Sequence, residues 1–503
     1  VSPRSASSES VGTVLMRNTA WYGLVTFIGL GSGLLMSIVL ARGLGPSLMG
    51  DYSYLLWALR ILTAIAALGW PLATARYTAD ACAREQQARA WGFVQFFLRR
   101  QLVTTAVVVL VFVAVVLTGE VEGRLRAPFV LLLLMLVPVT IESIYTHAVY
   151  GAQRYDLTTQ TSTVKMGLHL LGAIVVVMLG FQIFGLIVAV TIGMVVSCLI
   201  QRARARELLG GPTVPPTDTE RREIRGFVAS LAVVSVLDAL VRDRSEIFFL
   251  RMFAGSEAIA YYSLAFGLAT RVMVVPEIAV GALLPALAAL HGRGERGEFG
   301  RVYRTAMRYV ALSGAPIAAL VAALAPGVVH ALYGAAYAPA APLLGVLAVV
   351  AVVGALRKVA ASSLQAMGDR RWSLTATGGA VALNIALALA LIPTYGTIGA
   401  VAANSVAQVA AALWSFIGLA RLNGARVPVG ELVRIGVSAS LLFAVTRLIA
   451  GDSHDVLHLI AAAGVGVLGF VGAALATRAL GEREWTQLRT STRRLLAARA
   501  GSV

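Results

Sequence analysis

Residues 17–56 read RNTAWYGLVTFIGLGSGLLMSIVLARGLGPSLMGDYSYLL. No charge interrupts the apolar run from Trp21 to Leu40; Arg42, Gly43, Gly45 and Pro46 then crowd a turn before a second apolar run begins. A helix rises about 1.5 Å per residue, so about 20 such residues cover the roughly 30 Å hydrocarbon core of a bilayer. The stretch therefore predicts one membrane-crossing helix, a short turn and a second helix running back. The first run is longer than the apolar core of a secretory signal and leads into Arg-Gly-Leu-Gly-Pro rather than a small-residue cleavage site, so it is expected to be retained as span 1.

The same pattern recurs from Asn18 to Leu480 and gives about fourteen spans. Hydrophobic residues make up 58% of 503 positions, charged residues only 13%, and mean hydropathy is +0.80. Soluble domains carry about 25% charged residues, so a soluble globular fold is excluded. The net charge of +17 does not point to nucleic acid, because the cations are spread over many short loops instead of one domain. Counted by alternate gaps, thirty Lys and Arg fall on the side of the N-terminus and only five (Arg42, Arg124, Arg126, Arg251 and Arg447) on the other, with seven inside spans. That asymmetry predicts an even number of spans and both termini in the cytoplasm of a multi-pass protein of the plasma (inner) membrane. Cys82 and Cys198 stand far apart without a CxxC partner, so neither a disulfide framework nor a metal site is expected.

The chain repeats itself. In LGPSLMGDYSYLL and AGSEAIAYYSLAF, Gly45, Tyr52 and Ser53 match Gly255, Tyr262 and Ser263 at an offset of 210; in YGAQRYDL and MGDRRWSL, Gly151, Arg154 and Leu157 match Gly368, Arg371 and Leu374 at an offset of 217. Six spans return a chain to its starting side, so the halves are expected to be parallel copies. The expected fold class is an all-α polytopic membrane protein, with two six-helix bundles around a central cavity and a C-terminal two-helix hairpin. The boundaries follow: a tail at 1–17, a bundle at 18–202, a linker at 203–226 containing the PTVPPTD break, a bundle at 227–420, a hairpin at 421–480 and a basic tail at 481–503. Pro71 in span 2 and Pro276 and Pro285 in span 8 occupy corresponding helices and predict bends there; Pro138 and Pro316 fall inside spans 4 and 9.

Ionisable side chains at bilayer depth each cost about 2.5–3.5 kcal/mol on insertion scales, so they are expected to face protein or water and are functional candidates. The cationic set is Arg60, Lys165, Arg242, Arg244, Arg271, Arg357 and Lys358, against Glu142, Asp238, Asp243, Glu246 and Glu277. Arg60 and Arg271 lie in spans 2 and 8, corresponding helices of the two halves. Guanidinium groups there would face one cavity from both sides and suit a pyrophosphate, which they grip in a bidentate fork. Arg242, Arg357 and Lys358 are further cavity candidates. Asp238, Arg242 and Glu246 have i, i+4, i+8 spacing and would pair along one helix face. Together with Asp243 and Glu142, the acidic Asp238 and Glu246 are candidates for ion coupling or structural pairing. His147 and His169, and the pair Asn404 and Gln408, read first as polar groups satisfied within and between helices. No metal-spaced His/Cys cluster, nucleophile elbow or phosphate-binding loop occurs, so no cofactor and no enzymatic activity are expected. Uphill work would draw on H+, Na+, the membrane potential or the substrate gradient.

These segments resemble the polysaccharide transporter family of lipid-linked oligosaccharide flippases, in the superfamily that also holds multidrug and toxin extrusion antiporters and peptidoglycan-precursor flippases. The resemblance rests on residues 17–55, on GSEAIAYYSLAFGLATRVMVVPEIAVGALLPALAAL, on LYGAAYAPAAPLLGVLA and on LIPTYGTIGAVAAN. It implies an alternating-access exporter of an undecaprenyl-diphosphate-linked oligosaccharide, for cell-surface polysaccharide biosynthesis, with cationic cavity residues holding the diphosphate. That role passes to Arg60 and Arg271, then to Arg242, Arg357 and Lys358. Arg17-Asn18 stands where peptidoglycan-precursor flippases carry an arginine–aspartate pattern, which argues against that substrate. A cation-coupled multidrug antiporter on the same fold and a peptidoglycan-precursor flippase are the alternatives; the seven-to-five basic surplus inside the spans weighs against the antiporter. A membrane glycan polymerase or ligase would need a sizeable outer loop, and every loop on the expected outer side is short.

Overall fold

The computed structural model describes residues 11–119, 122–242, 244–281, 283–451 and 453–477, with backbone alone at 11–15, 230, 233–242, 275, 279 and 370. The described residues contain helices and no strand. They fall into two compact units, Val1–Ala260 and Tyr261–Val503.

In the first unit, α1 spans Val11–Ala67, α2 Trp70–Ala83, α3 Gln87–Leu117, α4 Gly123–Gly151, α5 Tyr155–Met178, α6 Ile183–Leu209, α7 Asp218–Arg242 and α8 Glu246–Phe253; α9 (Gly255–Val272) begins here and runs on into the second unit. Ten helices are long and apolar enough to cross a membrane, or eleven if a bent pair is one span, among the described residues. The count falls below fourteen partly because two of the ten are double-length. The apolar part of α1, Met16–Ala67, has 52 residues, which at about 1.5 Å each is more than twice the hydrocarbon thickness. It changes direction at Gly45, whose φ of 73° and ψ of 173° are non-helical, with Pro46 directly after. The Gly-Pro pair of the opening stretch thus makes the turn inside one long helix.

α1 ends at a break where Leu68 (φ 44°) and Gly69 (φ 83°) are left-handed and Pro71 opens α2. The Ala66 carbonyl loses its helical partner there, and α3 supplies two: Gln101 Nε2 donates at 2.9 Å and Thr104 Oγ1 at 2.7 Å. Gln101 is fully buried, so this capping satisfies groups that would otherwise cost free energy in an apolar interior. Beside it lies an aromatic core, Phe93 and Phe97 of α3 against Tyr77 of α2 and Tyr145 and Ala148 of α4. The outer face of α3 differs. Val103, Val107, Leu110 and Val111 are 61%, 55%, 69% and 54% exposed. A stripe of that kind facing water would drive aggregation, and facing acyl chains it costs nothing.

The second unit continues with α10 (Val274–Gly281), α11 (Leu283–Gly292), α12 (Arg296–Tyr333), a 3₁₀ turn at Ala335–Tyr337, α13 (Ala340–Ala366), α14 (Arg370–Asn423), α15 (Val429–Ala450) and α16 (Val456–Ala476). α9 and the segment Pro276–Gly292 bend by 56° at Pro276, one of the two prolines expected to bend span 8; the other, Pro285, lies within α11. α14 repeats the device of α1: 54 residues redirected at Gly396 (φ 53°, ψ −124°) after Pro393. Pro138 and Pro316, by contrast, sit inside unbroken helices. Phe299, Tyr303 and Met307 of α12 pack with Val359 and Leu364 of α13 and Leu419 of α14 to form the unit's core. The α15–α16 hairpin docks on α12 through Ile435, Leu442, Phe470 and Ala474 against Ala311 and Ala319.

Candidate functional site

The second unit gathers charge around a small pocket of about 150 Å³ between α9, α10, α13 and α14. Arg357 and Lys358 of α13, Glu277 of α10 and Gln408 of α14 all line it, beside Phe266 and Thr270 of α9. Consecutive residues on a helix diverge by about 100°, yet both cations line this one pocket. Lys358 Nζ sits 2.5 Å from Glu277 Oε2, so this lysine is neutralised by its neighbour. Gln408 Nε2 donates to Asn404 Oδ1 at 2.8 Å, the polar pair the i, i+4 spacing predicts. Gly354 leaves room for the Gln408 carboxamide; a Cβ there would stand 2.8 Å from its oxygen.

Arg271 lies near the end of α9, half-buried. Among the described residues no carboxylate lies within ion-pair distance of it. Its counterpart from the repeat, Arg60, is an exposed residue of α1 in the first unit.

Three candidates of span 7, Asp238, Arg242 and Asp243, lie outside the residues whose side chains are described. The helix on which Asp238, Arg242 and Glu246 were to share a face is interrupted. α7 ends at Arg242, Arg244 takes a left-handed φ of 55°, and Glu246 opens α8. With α7 ending at Arg242 and Arg244 left-handed, the i+8 position no longer follows from 3.6-residue periodicity. Glu246 is fully buried.

Glu142 is an ion-pair centre in the first unit. Its Oε1 on α4 accepts from Lys165 Nζ of α5 at 2.8 Å and from Ser197 Oγ of α6 at 2.7 Å. The two side chains of the pair are 9% and 21% exposed, so three helices meet on one desolvated charge pair. His147 is satisfied within its own helix, its Nδ1 2.8 Å from the Ser143 carbonyl oxygen.

Sequence reasoning missed another cluster. Asp51, at the start of the second half of α1, is fully buried. Its carboxylate accepts from Arg251 Nη1 of α8 at 3.0 Å and Ser256 Oγ of α9 at 2.6 Å, and pairs with Arg124 Nη2 of α4 at 3.2 Å. Glu122 bridges the same two arginines, Arg124 at 2.8 Å and Arg251 at closer range. Arg251 also lies over the Tyr54 ring, 5.4 Å from its centroid. The backbones come close here: a Cβ on Gly50 would stand 1.7 Å from the Ser256 carbonyl oxygen. The one available signal was that Arg124 and Arg251 belong to the sparse charge class, where cations are few.

A family described as "Polysaccharide biosynthesis protein" matches residues 15–291, more than half of the chain. The chain belongs to this family. Its fold is shared with solved membrane transporters. A structure of the lipid II flippase MurJ in an inward closed conformation aligns with TM-score 0.69 at 13% identity, over 91% of this chain and 99% of that one. An inward-facing multidrug resistance MATE family transporter aligns with TM-score 0.65 at 17% identity, over 79% and 96%. A MATE in a bent conformation aligns with TM-score 0.57 at 17% identity, over 86% and 100%. No curated protein matches the chain in sequence. The protein is therefore a multi-pass membrane protein that shares the fold of these transporters.

Proposed function

We propose that the protein is a flippase that moves an undecaprenyl-diphosphate-linked oligosaccharide across the cytoplasmic membrane by alternating access, during the biosynthesis of a cell-surface polysaccharide. The observation that carries this reading is Arg271, a half-buried guanidinium inside a membrane helix with no carboxylate partner among the described residues. A cation held at that depth costs about 2.5–3.5 kcal/mol, and a diphosphate passing by offsets that cost by a bidentate, charge-assisted contact. Arg60 is its counterpart in the other half, and Arg357 lines the pocket of the second unit that also takes in Thr270 and Met273 of the same stretch.

Two further features support a lipid-linked cargo. The second unit carries an apolar groove of about 860 Å³ between α12, α13 and α15, walled by alanine, valine and proline and ending at Arg447. Such a groove suits a polyprenyl chain better than a hydrated ion. The in-span cations also outnumber the in-span carboxylates, which favours an anionic substrate over a cationic drug. Energy would enter through H+, Na+ or the membrane potential, with Glu142 and Glu277 as the carboxylates placed to exchange a lysine partner for a proton or cation.

Deleting the gene is expected to make lipid-linked repeat units accumulate in the inner leaflet, and the wild-type gene to clear them. Arg271→Ala is expected to leave accumulation at least tenfold above wild type at equal membrane abundance. Full rescue by Arg271→Ala and by Arg60→Ala would remove the site assignment. Accumulation of peptidoglycan precursor instead, or sensitivity to cationic drugs without glycan accumulation, would replace the function with one of the two sister activities.

A further inference from the structure

A second basic site shares no lining residue with those named above. In the first unit, α3, α4 and α6 enclose a groove of about 810 Å³. Three arginines line it, Arg99 of α3 and Arg202 and Arg206 of α6, and no Asp or Glu does. Below them the wall is apolar, with Leu102 of α3, Ile141 of α4 and Leu199 of α6, while Trp91 and Tyr145 stand near the charged rim.

Helix geometry selects these arginines. Arg202 and Arg206 are four residues apart and share one face of α6. Arg204, between them in sequence, points the other way and donates to the Leu157 carbonyl oxygen at 2.9 Å and to Gln160 Oε1 at 2.8 Å. Arg99 and Arg100 diverge likewise; Arg100 lies over the Phe96 ring at 5.5 Å. Other arginines at this end of the unit are committed: Arg84 to Asp80 at 3.0 Å, Arg154 to Asp156 at 2.9 Å and Arg221 to Asp218 at 3.3 Å. Among the described residues no carboxylate forms an ion pair with Arg99, Arg202 or Arg206.

We propose that this groove binds an anionic phospholipid of the surrounding leaflet, with the phosphodiester held by Arg99, Arg202 and Arg206 and an acyl chain laid along Leu102, Ile141 and Leu199. Charge and apolar wall together commit the site to a lipid. A soluble anion would use the arginines but leave the wall bare; a zwitterionic lipid would fill the wall but bring its own cation to the arginines. Basic pockets between membrane helices on the cation-rich side are where anionic headgroups are held. Trp and Tyr at the headgroup level complete the chemistry of that depth. The site lies within one unit and does not depend on the flippase reading.

The test is lipid titration of the purified full chain in detergent micelles, read as thermal unfolding and as lipid retained in native mass spectrometry. Phosphatidylglycerol is expected to raise the unfolding temperature and to stay bound, and phosphatidylcholine at equal concentration is not. The triple variant Arg99→Ala/Arg202→Ala/Arg206→Ala is expected to bind phosphatidylglycerol about a hundredfold more weakly. A control triple, Arg84→Ala/Arg293→Ala/Arg301→Ala, removes equal charge elsewhere and should bind as wild type. Leu199→Trp keeps every charge and fills the apolar wall, so it should weaken binding too and covers the case in which the arginine triple fails to fold. Equal binding of both lipids, equal loss in the control triple, unchanged binding in Leu199→Trp, or a full effect from inorganic phosphate alone would each overturn the proposal.

Discussion

At the residue scale, the protein separates charges that are matched from charges that are held unmatched. Glu142 and Lys165 are a matched pair at bilayer depth, further satisfied by Ser197. Breaking a buried pair by removing one partner costs about 3–5 kcal/mol, because the surviving charge is left in an apolar interior. Lys165→Met and Glu142→Gln are each expected to lower the unfolding temperature in detergent markedly. The double variant should lie well above the sum of the two losses. Additive losses would show that the pair contributes nothing as a pair. The sequence marked Glu142 and Lys165 as in-span ions, because a charge inside an apolar run is visible to any reader. It did not show that they meet, since 23 residues and a helix turn separate them. The Asp51 cluster was harder still. Asp51 and Arg251 are 200 residues apart, and Arg251 read only as one of the five cations on the sparse side.

At the scale of elements, helix existence and helix breaks were legible to different degrees. Long apolar runs are unambiguous in a membrane, since backbone groups there must be bonded within the helix. Breaks at Gly45–Pro46, Gly69–Pro71 and Pro276 follow from residue chemistry alone: glycine admits positive φ and proline removes a donor. The break between α7 and α8 carries neither residue and was read as continuous helix. Close approach is invisible in sequence, and Gly50 shows its consequence. A methyl group there would collide with the Ser256 backbone at 1.7 Å, so α1 and the start of α9 would have to separate. Gly50→Ala is expected to lengthen the Asp51–Arg251 and Asp51–Ser256 bonds and to raise amide hydrogen exchange at 45–52 and 250–258 several-fold. Arg251→Ala should reproduce that pattern without any steric clash. Gly50→Ala with wild-type exchange in both segments would mean that the packing yields elsewhere and that the cluster does not fasten these helices.

At the scale of the whole molecule, orientation is the property most strongly written in composition. Thirty cations lie on one class of gaps against five on the other, and translocation of each additional cation across the membrane is unfavourable. The proposed site in the groove of α3, α4 and α6 makes the same choice, for its arginines lie on the cation-rich side. In a chain with Cys82→Ser and Cys198→Ser, a cysteine at Thr118 is expected to react with a membrane-impermeant maleimide in intact cells, and one at Thr213 only after permeabilisation. Both positions are exposed in the structure, so reactivity reports sidedness rather than burial. The native thiols are removed for certainty, although burial already pushes the Cys82 thiol up and slows its alkylation. The converse labelling pattern would turn the protein over. The arginine groove would then face the outer leaflet, and a flippase loading its cargo from the cytoplasm would have to receive it at the end fastened by Asp51 and Arg251.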